Sequence, residues 1–223
     1  VIYTHAGPEI AVATTKAYCA QVAVLYLLAG YLAEKRGLLS EEARRAYVTE
    51  LEALPAKIKE TLTQCDAQIK ELSQMFIPLE HAYFIGRNLD YACAMEASLK
   101  LKEISYIHSE AYAAGELKHG TIALIEENQP VIAVCCNEAL AEKTLSNIVE
   151  VKARGAKVLA LAFRGNTGIV SQADDVIFIP RVRSIFSAVL AVVPLQLLAY
   201  YAAKEKGCDI DKPKNLAKSV TVE

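Results

Sequence analysis

Most sequence marks of the common binding chemistries are missing here. The six cysteines, Cys19, Cys65, Cys93, Cys135, Cys136 and Cys208, form no CxxC pair, and no cysteine joins a histidine at zinc-ligand spacing. That argues against a structural metal, and the thiols read as small buried hydrophobes of a reduced, cytoplasmic protein. No GxGxxG or Walker motif occurs, which removes the usual phosphate cradles of nucleotides. Charge of one sign does not accumulate: 24 basic and 26 acidic residues leave a net charge of -2 and no basic stripe. Nucleic acid is therefore not an expected partner, and an acidic substrate must be held by local groups rather than by a global field. There is no signal peptide, internal repeat or low-complexity segment. Val1 is not a natural start, so a fragment or a processed chain is expected.

Long apolar runs are few. Ile185 to Ala203 is barely long enough to span a bilayer and carries Ser187, Pro194 and Gln196. It reads as a helix buried in an α/β domain or an oligomer interface, and Ala17 to Leu32 reads the same way; no membrane partner is expected. With 53% hydrophobic and 22% charged residues over 223 positions, the chain suits one or two globular domains.

Periodicity supplies the elements. Val1 to Tyr3 reads as a strand end broken by Gly7-Pro8. Thr14-Thr15 would cap a helix that runs to about Arg36 and stops at Gly37. Glu41 to Glu52 and Ala56 to Met75 read as two amphipathic helices separated by Pro55. Thereafter short apolar runs at His81–Ile85, Pro130–Cys136, Val158–Phe163 and Asp175–Ile179 read as strands. They alternate with helices over Tyr91–Ile107, Ala139–Arg154 and Ser184–Lys206. This alternation predicts an α/β fold with a doubly wound parallel sheet flanked by helices, its site beyond the C-terminal ends of the strands. Residues 209–223 show neither period and default to a frayed tail.

The chemistry concentrates in Met95 to Gly120, MEASLKLKEISYIHSEAYAAGELKHG. On a helix, Glu96, Lys100 and Glu103 share one stripe among apolar Leu101, Ile104 and Ile107. Two readings stand: an exposed ion pair contributing a few tenths of a kcal/mol, or a carboxylate base tuned by a neighbouring cation. His119, in GELKHG, is either a surface residue or an acid/base group. Lys218 by itself is a charge in a polar tail. The loops that could cradle a phosphate, CNEALAEK and RGNTGIVS, are poor in hydroxyls, with Thr167 and Ser171 the best candidates.

The stretches Lys100–Gly120, Asn215–Glu223 (NLAKSVTVE), Ala6–Tyr18 (AGPEIAVATTKAY) and Val193–Ala203 closely resemble the glucosamine-6-phosphate synthases, also called glutamine–fructose-6-phosphate aminotransferases (isomerizing). The resemblance spans essentially the whole chain. It implies sugar isomerase domains: residues 1–38 as the helical end of a first one, 39–208 as the second, and 209–223 as a C-terminal active-site tail. It implies formation of glucosamine 6-phosphate from fructose 6-phosphate and glutamine-derived ammonia, with a glutaminase domain in the parent and no metal or organic cofactor. By the resemblance, Glu103 shuttles the proton between sugar carbons and Lys100 sits beside it. His119 opens the sugar ring from the neighbouring subunit of a homodimer. Lys218 forms a Schiff base with the keto sugar, and the backbones of Val12 and Ala217 line the site. The family's phosphate loop lies upstream of Val1, so the chain alone is expected to be weak or inactive. The alternatives are a fructosamine-type deglycase and a non-catalytic sugar-phosphate sensor of the same fold.

Overall fold

The computed structural model describes residues 1–219; the last four positions of the NLAKSVTVE tail, 220–223, lie outside them. Five strands form one wholly parallel sheet: β1 (His81–Gly86), β2 (His108–Ala113), β3 (Pro130–Cys135), β4 (Lys157–Phe163) and β5 (Asp175–Ile179), in the order β2-β1-β3-β4-β5. The helices are α1 (Lys16–Lys35), α2 (Glu41–Ser73), α3 (Leu89–Ser105), α4 (Ala141–Lys152) and α5 (Ser187–Glu205). The expected doubly wound sheet is present. Helices α2, α3 and α5 pack one face, around Phe84, Ile132, Leu159 and Leu190; the other face carries Ile85, Val131, Ile148 and Val158 with α4.

Four local expectations need correction. Pro55 does not interrupt the helix: α2 runs unbroken for 33 residues. The missing N–H removes one backbone bond. Thr61, Cys65, Ile69 and Ser73, spaced by four and all buried, nevertheless hold α2 as one rod against the sheet side of the molecule. Second, β2 is absent from the elements that periodicity supplies. It is an edge strand, half-buried after Ser109, so HSEAYA carries no continuous apolar run. Helix α3 accordingly stops at Ser105, where Tyr106 turns the chain with a left-handed backbone (φ 62°). Third, Val1–Tyr3 form no strand; they are exposed and pair with no neighbour in the sheet.

The fourth correction concerns α1 and only one of its two readings, burial in the α/β domain; the oligomer-interface reading is not touched by it. Helix α5 meets its expectation, with 13 of its 19 residues buried in the core. In α1 only Tyr26 is buried, and Leu25, Leu27, Tyr31 and Leu32 are at least half exposed. Tyr26 packs edge-on to Phe186 beside Tyr47, which tethers α1 to α2 and α5.

Candidate active site

Helix α3 runs antiparallel to the strands, so its two ends lie at opposite edges of the sheet. Its first turn meets the C-terminal end of β3: the Asp90 carboxylate accepts the Cys136 and Asn137 backbone N–H groups, both at 2.9 Å. Its last two turns precede the start of β2, and Lys100 and Glu103 sit there. The strand order reverses between β1 and β3, and the general rule for open sheets places the ligand in that crevice. Here the backbone donors of the crevice are already taken by an internal anion. Asp90 is 1% exposed, and burial pushes its carboxyl up to about 6 despite those two bonds. The sequence-based placement of the site at the C-terminal edge is therefore corrected for the α3 cluster, which lies at the N-terminal edge.

At that edge Lys100 is buried, 4% exposed. Its ammonium lies 2.6 Å from Glu103 Oε2 and 3.6 Å from Glu96 Oε1. This removes the reading as an exposed surface pair. Burial raises the Glu96 carboxyl above its usual range, with the Glu103 charge adding and Lys100 opposing. Glu103 Oε2 is itself shielded from solvent, yet Lys100 approaches it outside hydrogen-bond geometry, so the contact is an ion pair that leaves a lone pair free. Two carboxylates and one amine, held by the packing of Leu101 and Ile104, make a group able to accept and return a proton away from bulk water.

A cleft of about 170 Å³ opens beside Lys100. Its walls come from Ala11, Ala13 and Thr15, from Ile104 on α3, from Gln196 and Tyr200 on α5, and from Ile210 and Asp211. The tail reaches this cleft instead of fraying, which corrects the default reading of residues 209–219. Val12 N–H donates to the Asp211 carbonyl at 2.9 Å. Lys214 N–H donates to the Tyr106 hydroxyl at 2.8 Å, and its ammonium stands 4.3 Å above the Tyr106 ring. Lys218 then donates from Nζ to the Ala11 carbonyl at 2.8 Å, with the Val12 carbonyl at 3.5 Å. Lys100 thus lines the cleft, and Lys218 and Val12 are each hydrogen-bonded to one of its wall residues, Ala11 and Asp211. Ala217 is exposed beside Lys218.

His119 does not join them. It is exposed in a short 3-10 turn after β2, at the C-terminal edge of the sheet, and its backbone N–H donates to Glu116 within that turn. The other loop candidate, Ser171, spends its hydroxyl on the Gly168 carbonyl at 3.1 Å.

Three residues escape sequence reasoning, and one of them, Asp90, lies at the opposite end of α3 from the cleft. Asp90 gives no signal because its role needs the β3 end beside it. The Gln196 side-chain nitrogen is shielded and unpartnered at the cleft wall. Glu9 caps α1 in place of the expected Thr14-Thr15 hydroxyls: its Oε1 accepts from Thr15 N at 2.7 Å, Thr15 Oγ1 at 3.0 Å and Lys16 N at 3.1 Å. A glutamate a few residues before a helix start, in AGPEIAVATTK, is the available signal. Burial alone would raise its carboxyl. The Thr15 hydrogen bonds, helped by Lys218 and Lys16, outweigh that and hold it below the usual range.

A wholly parallel five-stranded sheet with helices on both faces makes this an α/β domain of the sugar isomerase type. Residues 75–205 match the SIS domain model, and the chain belongs to that family. Over all 223 residues it is 52% identical to the glutamine–fructose-6-phosphate aminotransferase (isomerizing) of Clostridium tetani. It is 55% identical to that of Caldanaerobacter subterraneus subsp. tengcongensis. It spans 36% of the length of each. Among solved structures it superposes on the C-terminal domain of glucosamine-fructose-6-phosphate aminotransferase from Francisella tularensis. There the TM-score is 0.89 at 40% identity, covering 94% of this chain and 59% of that one.

Proposed function

We propose that this chain is the isomerase part of an enzyme that makes glucosamine 6-phosphate from fructose 6-phosphate and glutamine-derived ammonia. The observation that carries the reading is Lys100 buried between Glu96 and Glu103 at a cleft to whose Ala11 wall Lys218 is hydrogen-bonded. In this reading Lys218 attacks the keto carbon, and the iminium acidifies the neighbouring C–H. Glu103 then carries the proton between the two carbons, its charge set by Lys100. Val12 and Ala217 present backbone to the sugar. A sensor or a deglycase is less well supported: a sensor has no use for a buried proton-transfer group.

His119 serves the site of a second copy, making a homodimer. The support is topological, since His119 and Glu103 stand at opposite edges of one sheet. Residues 1–38 belong with the remainder of a first isomerase domain, 39–208 form the second, and 209–223 are the active-site tail. The bare apolar side of α1 fits that division, because the curated relatives are nearly three times as long as this chain. The parent carries the glutaminase domain and works in the cytoplasm.

The test is conversion of fructose 6-phosphate to glucose 6-phosphate by the full-length parent and by this chain, each against Glu103→Gln. The parent is expected to lose isomerisation by about 10²–10⁴-fold in the variant while still binding the sugar phosphate. The chain alone is expected to be weak or inactive. A parent whose Glu103→Gln variant isomerises normally sinks the reading.

A further inference from the structure

Glu9 does more than cap a helix. Its two oxygens face different ways: Oε1 takes all three donors from Thr15 and Lys16, and Oε2 stands 3.8 Å from Lys218 Nζ. The Glu9 side chain is 9% exposed, whereas that of Lys218 is 46% exposed. A fixed, largely buried carboxylate therefore faces a tail-borne ammonium that has no other acidic neighbour among the described residues. The remaining groups on Lys218 are neutral carbonyls, those of Ala11 and Val12. The three α1 donors hold Oε1 in place, so the direction of Oε2 is set by the helix start rather than by the tail.

We propose that Glu9 is a positioning residue for the Schiff-base chemistry of Lys218, acting as its permanent counter-ion. This rests on the function proposed above. The step balances simply: the lysine ammonium and the C2 ketone of the open sugar give a protonated iminium and one water. The C=N bond forms on Nζ, the carbonyl oxygen leaves in the water, and the two protons of that water come from the ammonium. Nζ is thus positive before and after the step, and the charge faced by Glu9 is conserved. The carboxylate needs no proton of its own to do this. It holds Nζ over the cleft when the amine is free of sugar, and it offsets the iminium charge when the sugar is attached. Its fixation by α1 means that no reorganisation accompanies the change.

Glu9→Gln separates the two roles. The glutamine carbonyl can still accept from Thr15 and Lys16, so the cap survives, whereas the charge facing Lys218 is lost. The experiment is reductive trapping: fructose 6-phosphate and cyanoborohydride are added to the full-length parent, and the adduct on the Lys218 peptide is followed by mass spectrometry. Thermal unfolding is measured on the same samples. Glu9→Gln is expected to unfold like wild type and to form the Lys218 adduct about fivefold more slowly or worse. Adducts on the other lysines should be unchanged, and Glu9→Asp, which keeps the charge, should recover some of the rate. Equal Lys218 trapping in wild type and Glu9→Gln would overturn the counter-ion role alone. A wild-type parent that never forms the Lys218 adduct would instead overturn the functional reading, and this proposal with it.

Discussion

Asp90→Asn offers a sharp test of the buried switch-point carboxylate. In the fold its carboxyl is raised from an ordinary 3.8 to about 6. The charged form is therefore the disfavoured one in the native state. Below pH 3.8 the group is protonated in both states and costs nothing. As pH rises from 3.8 to 6 the unfolded chain releases its proton first, so stability falls across that window. The whole loss is the gap of about 2.2 pH units at 1.36 kcal/mol each, about 3 kcal/mol. An asparagine carries no such proton, yet its side-chain oxygen can still accept from Cys136 and Asn137. The assay is urea unfolding of wild type and Asp90→Asn from about pH 3.5 to about pH 7.5, a range that brackets the window. Relative to wild type, the variant should gain about 3 kcal/mol between the two ends of that range, whatever the constant offset between them. Asp90→Ala should lose stability at every pH, because two buried N–H groups go unpaired at about 1–3 kcal/mol each. A wild-type-to-Asn difference that stays flat with pH, or runs the other way, would refute the account of Asp90 as a destabilised buried anion.

Gly86→Ala should be severely destabilising, by about 1–3 kcal/mol or more in the same unfolding assay, since a Cβ there meets the Asp90 backbone carbonyl at 2.5 Å. Leu101→Ala should cost about 2–5 kcal/mol and lower isomerase activity with it, because Leu101 is 1% exposed and neighbours Lys100 in α3. Mixing the separately inactive Glu103→Gln and His119→Asn parents should restore up to about a quarter of the sites through mixed dimers. No recovery after subunit exchange would remove His119 from the partner's site.

The layer architecture is legible in the sequence because the central strands are apolar without interruption: PVIAVC and KVLALAF can only be buried on both faces. The α3 stripe is legible for a different reason, its spacing of four and three. What it cannot announce is burial. Glu96 and Lys100 on paper are an ordinary helical ion pair, and only α5 and the tail, far along the chain, remove the water. Edge strand β2 is hidden because half of its side chains face outward, and Pro55 misleads because a local rule is outweighed by long-range packing. Asp90 is opaque because it acts on backbone N–H groups, which carry no sequence signal, whereas Glu9 is faint because only its place ahead of the α1 start hints at the cap. His119 is the opposite case: its resemblance-based role is plain, yet its side chain makes no hydrogen bond or ion pair among the described residues of one chain.

Helix α3 has nine of its 17 residues buried and touches both edges of the sheet. The same rod that fills the core also carries Lys100 and Glu103. An evolving lineage therefore has few letters to choose from there: a change must satisfy the packing and keep the buried Lys100–Glu103 pair at once. Specificity is freer to drift in the other walls of the cleft, residues 11–15 and 210–211, which do not belong to the rod. New substrates on this scaffold should be sought by altering those segments while α3 stays as it is.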